Sequence, residues 1–170
     1  MIVAGLDLAA SPRRCSGYSR LNADLRAVEE VTCLYSDSDI VSAVERGGVK
    51  LLAIDAPIAE EPVFRDVDRL ARSLGYNVIP PTLGPMRALT RRAWTLYVKL
   101  KAVGVEVIET HPSSALKSSR CPSVEELLAS LGIALSVDLN SLGEDEVDAI
   151  ISSLVAYCYH TGRCIEEVRG

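Results

Sequence analysis

What the 170-residue chain lacks excludes several classes of protein. There is no GxxxxGK[ST] and no GxGxxG, so neither a P-loop ATPase nor a dinucleotide-dependent dehydrogenase is supported. The five cysteines (Cys15, Cys33, Cys121, Cys158, Cys164) contain no CxxC pair and are odd in number. Neither a zinc site nor a full disulfide framework follows, and they read as buried free thiols. No apolar run is long enough to span a bilayer, and Met1-Ile2-Val3-Ala4-Gly5 begins without a basic leader or cleavage site. We therefore expect a cytoplasmic protein with no membrane partner. Low-complexity tracts and internal repeats are absent, and the length suits one domain spanning 1–170. A mechanism in which two lobes close on a substrate is disfavoured.

What is present is a globular balance, 48% hydrophobic and 24% charged. The net charge of −5 argues against a generally basic nucleic-acid binder, but it hides an asymmetry. Between Phe64 and Lys101 stand eight basic residues (Arg65, Arg69, Arg72, Arg87, Arg91, Arg92, Lys99, Lys101) against Asp66 and Asp68. That stretch carries +6 and leaves −11 elsewhere.

Ile2 to Leu8 is a short apolar run containing Asp7 near its end, which predicts a buried strand. Two β-like runs follow, Cys15 to Leu21 and Leu25 to Tyr35, joined by Asn22-Ala23-Asp24 as a hairpin. A helix from Ser36 or Asp37 carries Ile40, Val41 and Val44 and stops at Gly47-Gly48. Val49 to Asp55 is a second buried strand, and Val105 to Glu109 a third, each ending in a carboxylate. Between them, helices are predicted over Pro62 to Leu74 and from about Met86 to Val103. Ser123 with Glu126, and Ser141 with Glu144, predict the capped starts of two more helices. In the last of these, Val147, Ile150, Ile151, Leu154, Val155 and Cys158 form one apolar face. Three antiparallel strands followed by alternating helices and strands predict an α/β plan with a mixed five-stranded sheet.

In such sheets, ligands gather at the carboxyl ends of the parallel strands, where Asp7, Asp55 and Glu109 fall. A lone Asp at a strand end usually bonds the following turn. Several carboxylates at one edge repel each other unless a cation or shared protons compensate, and hard divalent ions take such oxygen ligands. Mg²⁺ or Mn²⁺ is the expected cofactor. Asp145 and Asp148 are three residues apart on the last helix. Asp148 borders its apolar face, whereas Asp145 points farther out, so Asp148 ranks first as a ligand.

The order of strands, acids and a late Asp-x-x-Asp-Ala resembles the ribonuclease H-like superfamily, with the Holliday-junction resolvases as the nearest mechanistic pattern. More narrowly, Gly5-Leu6-Asp7, Ile54-Asp55-Ala56-Pro57, Glu109-Thr110-His111-Pro112 and Asp145-Glu146-Val147-Asp148-Ala149 resemble the uncharacterised family called domain of unknown function 429. That family is described as predicted ribonuclease H-like nucleases. The resemblance implies a metal-dependent nuclease in which Asp7, Asp55 and Asp148 hold two ions. Asp145 is a further candidate ligand, and Glu109 an extra ligand or general base. By the same analogy a homodimer is expected.

Arg87, Arg91, Arg92 and Lys99 are candidates for contacting nucleic-acid phosphates, with a solvated helix face as the equally weighted alternative. Trp94 and Tyr97 could stack on bases, but at helical spacing they read more readily as core. His111 stands near the site either as a proton shuttle or metal ligand or, as is commoner, as a hydrogen-bonded structural residue before Pro112. Two other functions compete with the nuclease. One is a nucleotide-binding phosphotransferase of the actin and sugar-kinase type, whose first strand resembles Gly5-Leu6-Asp7-Leu8. The other is a non-catalytic interaction domain on the same fold.

Overall fold

The computed structural model describes residues 1–163. The first strand, Ile2–Asp7 (β1), lies inside the sheet, and its apolar residues are buried on both faces. It pairs antiparallel with Ser16–Asn22 (β2), which pairs antiparallel with Ala27–Leu34 (β3). On its other side β1 pairs parallel with Val49–Ile54 (β4), and β4 pairs parallel with Glu106–Glu109 (β5). The sheet has a sixth strand beyond the five predicted: Ala134–Leu135 (β6) pairs parallel with β3, giving the order β5-β4-β1-β2-β3-β6. Two residues carry too little periodicity to be read as a strand, so only the tertiary contact reveals it.

The described residues form six helices: Asp37–Arg46 (α1), Asp66–Ser73 (α2), Gly84–Ala102 (α3), Pro112–Ser119 (α4), Val124–Leu131 (α5) and Glu144–Thr161 (α6). Side-chain alternation along the strands divides the core in two. Val3, Leu51 and Ala53 face α6, with Ile150 and Leu154 packed on them. Ala4, Leu6, Leu52 and Ile54 face the other way, onto Ile40 and Val44 of α1 and Ala93, Leu96 and Leu100 of α3. Each fully buried Val, Leu or Ile side chain among them contributes about 1.5–3 kcal/mol relative to exposure.

Helix α6 sits unusually close to the sheet because glycines lie beneath it. A Cβ at Gly5 would collide with the backbone of Ala149, Ser152 and Ser153, and one at Gly17 with the backbone of Asp145. Ser19, facing the same way, donates to Ser153 Oγ across the contact at 3.2 Å. No helix among the described residues is long and apolar enough to cross a membrane.

Several expectations are corrected. Cys15 and Cys33 form a disulfide, because Gly17 pairs with Cys33 and so brings Cys15 beside it. Cys121 is the free thiol among the described residues, Cys158 is not free, and Cys164 lies outside the described residues. The last helix opens at Glu144: Glu146 Oε1 accepts from Gly143 N at 3.2 Å, while Ser141 belongs to a preceding 3-10 turn. Helix α4 is an element beyond those predicted; it opens at Pro112, whose missing N–H suits a first helical turn, with His111 as the N-cap residue. Ser123 caps α5 as predicted, accepting from Glu126 N at 3.3 Å.

Candidate metal centre

Alternation along the strands places the site. Val3, Gly5 and Asp7 leave β1 on the α6 face, and Leu51 and Ala53 leave β4 the same way. Asp55, just past β4, continues that parity, and its N–H still donates to Leu6 O at 2.8 Å, so the ladder holds it in register beside Asp7. The first turns of α6, seated over Gly17, lower Asp148 onto the same edge. Gly17 is itself the cross-strand partner of Asp7.

The outcome is a group of three half-buried carboxylates: oxygens of Asp7, Asp55 and Asp148 lie within 4.8 Å of one another. Burial, then the Asp55 charge and hydrogen bonds towards Asp55 and Asp145, push the Asp7 carboxyl well above its ordinary range. Asp55 is raised chiefly by burial, partly offset by the hydrogen bond it accepts from Asp7. Asp148 is raised by burial and by the Glu144 and Asp145 charges. Like charges gathered in a partly desolvated place thus share a proton between Asp7 and Asp55. An all-oxygen, anionic donor set of this kind fits a hard divalent cation, which would replace that proton. Asp145 is exposed and reaches Asp7 from the rim, standing next to the three.

Glu109 is not part of this group. It pairs in register with Ile54, whose side chain faces α1 and α3, so Glu109 leaves the sheet on the side away from Asp55. There Arg65 grips it with two bonds, Nη1 to Oε2 at 2.7 Å and Nη2 to Oε1 at 2.8 Å. Ile58 N adds a third at 3.0 Å. Arg65 also forks onto Asp68, through Nε at 3.0 Å and Nη2 at 2.8 Å. Burial opposes the Arg65 charge, and the two carboxylates more than offset it, raising its pKa. Nothing in the sequence singled Arg65 out from its basic neighbours, since its role depends on a strand that follows 41 residues after it.

Arg92, one of the candidate phosphate contacts, is buried and engaged inside the protein. Its Nε donates to Asp37 Oδ1 at 2.9 Å, Nη1 to Ala9 O at 2.7 Å and Nη2 to Tyr35 O at 2.6 Å. It thereby fastens the turn after Asp7 to the end of β3 and the start of α1. Arg87, Arg91 and Lys99 are exposed. Helix α3 runs back towards the start of β5, so Lys99 lies about 18 Å along the axis from Arg87 at 1.5 Å per residue. Trp94 and Tyr97 stack on one another, ring centroids 5.1 Å apart. His111 is the N-cap residue of α4 without a side-chain bond to the helix backbone; its Nδ1 lies 2.6 Å from Ser114 Oγ, and burial lowers its pKa, which favours the neutral ring.

No family model matches the chain, and no curated protein sequence matches it. Among solved structures it is similar to RuvC of Thermus thermophilus, with a TM-score of 0.60 and 13% identity over 96% of this chain and 98% of that one. It is also similar to T. thermophilus RuvC in complex with a Holliday junction substrate, with a TM-score of 0.56 and 15% identity over 96% and 97% of the two chains. At such identities the likeness is one of fold alone: a mixed sheet with helices, matched almost end to end in both proteins.

Proposed function

We propose that this chain is a divalent-metal-dependent nuclease that hydrolyses phosphodiester bonds of nucleic acid. The observation that carries the reading is the convergence of Asp7, Asp55 and Asp148 oxygens within 4.8 Å at the carboxyl edge of the sheet. The fold supports it, being shared with RuvC, a structure of which holds a Holliday junction. The four short motifs around Asp7, Asp55, Glu109 and Asp148 support it through their resemblance to predicted nucleases of the domain of unknown function 429.

Asp7, Asp55 and Asp148 would hold Mg²⁺ or Mn²⁺, with Asp145 beside Asp7 at the rim. In two-ion hydrolysis the bound cations activate a water and stabilise the leaving oxygen of the phosphodiester. The residues themselves set the electrostatic conditions. Burial and the neighbouring carboxylates favour the protonated form of Asp7, hydrogen-bonded to Asp55, and a cation held by the three residues would take the place of that proton. The backbone around them is held by the Asp55 N to Leu6 O bond and by the Arg92 tie behind the Asp7 turn. Exposed Arg87 and Arg91, in the early turns of α3, supply sequence-independent phosphate contacts.

The test is cleavage of a labelled panel of duplex, single strand, RNA, RNA/DNA hybrid and four-way junction with Mg²⁺ or Mn²⁺. Asp7→Asn and Asp55→Asn run beside the wild type. Metal-dependent cleavage lost in both folded variants supports the reading and identifies the substrate. Equal silence in all three proteins, with the variants folded, refutes it.

A further inference from the structure

Helix α2 is attached to the rest of the molecule in an unusual way. It makes no extensive packing contact with any strand or other helix among the described residues. Leu70 and Leu74, with Val63 before it and Ile79 and Leu83 after it, remain exposed. What holds its start is ionic. The Arg65 guanidinium lies between Glu109 at the end of β5 and Asp68 in the first turn of α2, bonded twice to each. Asp68 also accepts from Arg65 N at 2.9 Å, and Ile58 N closes the intervening loop onto Glu109 at 3.0 Å. Beyond its end, Lys117 of α4 donates to Gly75 O at 3.0 Å. An apolar helix face left uncovered and a chain fastened at both ends describe a strap, not a core element.

The strap is basic on its outer side. Phe64 carries the Arg69 guanidinium 5.4 Å from its ring centroid and that of Arg72 at 5.6 Å. Arg69 otherwise has only exposed Asp66, at 2.8 Å, a surface pair that exchanges readily for another anion. Glu109 pairs in register with Ile54, the residue before Asp55, so the tether lies at the same carboxyl edge of the sheet as the acid group, on its opposite face. Apart from the exposed Arg69–Asp66 pair, these two guanidiniums have no carboxylate partner among the described residues, and their charge complements a polyanion approaching that edge of the sheet.

We propose that Arg65 and Glu109 are a positioning pair which docks α2 as a strap at the rim of the metal centre, and that Arg69 and Arg72 on this strap grip the phosphate backbone of the substrate. The proposal rests on the nuclease reading and deepens it. Glu109 then serves strand-end anchoring and not ion binding.

The experiment compares the full-length wild type with Glu109→Gln, Arg65→Gln, the double variant and Arg69→Gln/Arg72→Gln. Three readouts are taken: hydrogen exchange over residues 66–83, Mg²⁺ or Mn²⁺ affinity by calorimetry, and oligonucleotide affinity as a function of salt. Glu109→Gln and Arg65→Gln are expected to accelerate exchange over 66–83 by about tenfold, the double variant no more than either alone, since one opening is shared. Ion affinity stays within about twofold in Glu109→Gln, whereas loss of a true ligand or its direct support costs about 10–100-fold. Arg69→Gln/Arg72→Gln leaves exchange and ion affinity unchanged and reduces the slope of log affinity against log salt by about 1.4–1.8. Unchanged exchange in the tether variants, a tenfold loss of ion affinity in Glu109→Gln, or an unchanged salt slope overturns the proposal. If the wild type binds neither ion nor oligonucleotide, the nuclease reading and the grip fall together, while the exchange data still decide the tether.

Discussion

Gly17 and Asp145 meet backbone against backbone: the first turn of α6 rests on β2 at the one position of that strand which has no side chain towards it. Because Gly17 is also the cross-strand partner of Asp7, this contact sets how far the α6 carboxylates stand from the first-strand carboxylate.

Substituting Gly17→Ala should therefore act on the site more than on the fold. The added methyl must push the α6 start outward, and overpacking of this kind costs about 1–3 kcal/mol. Asp148 moves with that turn. Calorimetric Mg²⁺ affinity is expected to fall about tenfold or more, with a modest loss in denaturant midpoint. Undiminished ion affinity would mean that the helix start accommodates the methyl without shifting Asp148.

Asp7→Asn mimics the protonated carboxyl that the ion-free protein already holds at neutral pH. Stability in EDTA should change by less than about 1 kcal/mol. The thermal stabilisation given by Mg²⁺ should disappear, because a ligand stabilises only through its affinity for the native state. Melting curves with and without the ion measure both effects. A persisting shift in the variant would place the bound ion elsewhere.

The raised carboxyls also fix a pH dependence with a definite sign. Asp7 is pushed from 3.8 to about 9 and Asp55 to about 6. Above pH 4 the native state keeps protons that the unfolded chain has released, so stability in EDTA falls as pH rises, first through both groups and then through Asp7 alone up to about pH 9. An ion that displaces the proton binds more tightly along the same interval. Thermal melts from pH 5 to 9 should thus show a declining curve in EDTA and a growing Mg²⁺ shift. A rising curve in EDTA would contradict proton sharing.

Arg92 should behave unlike the other arginines of α3. Its side chain is 8% exposed, and removing it strands the Asp37 carboxylate and the carbonyls of Ala9 and Tyr35. Arg92→Ala is expected to cost about 3–5 kcal/mol, whereas Arg87→Ala and Arg91→Ala remain within about 0.5 kcal/mol. Urea unfolding of the three variants separates them.

The Cys15–Cys33 bridge closes a loop spanning 18 positions in sequence. On the chain-entropy account such a cross-link contributes about 3 kcal/mol by restricting the unfolded state. Reduction, or Cys15→Ser with Cys33→Ser, should lower the melting temperature accordingly, and equal melting of oxidised and reduced protein would show that the bridge adds no stability.

Strand parity made much of this molecule readable. The runs ending at Asp7 and Asp55 are continuous and apolar because β1 and β4 are buried on both faces, whereas β5 at the sheet edge is only partly buried, and α6 shows its helical spacing from Val147 to Cys158 because one side packs on the sheet. Such local patterns need no partner to be recognised. The Ser141 cap misled because the same residue types also close a 3-10 turn, and the choice between them depends on where the helix axis must lie over Gly17.

The sequence by itself determined the α/β plan, the acids at the strand ends and the basic middle segment, since each is written in the spacing and type of neighbouring residues. Tertiary structure decided the rest. Glu109 and Asp55 end adjacent parallel strands, yet a difference of one position in register sends them to opposite faces, one to Arg65 and the other to Asp7. Arg92 is a buried tie and Arg91 a surface charge because a helix turns 100° per residue and only the sheet says which side is inside. Cysteine pairing likewise follows from the β2–β3 register, which a count of thiols does not contain. Contacts between residues far apart in the chain depend on relative placement of elements, and that placement is a property of the whole packed core.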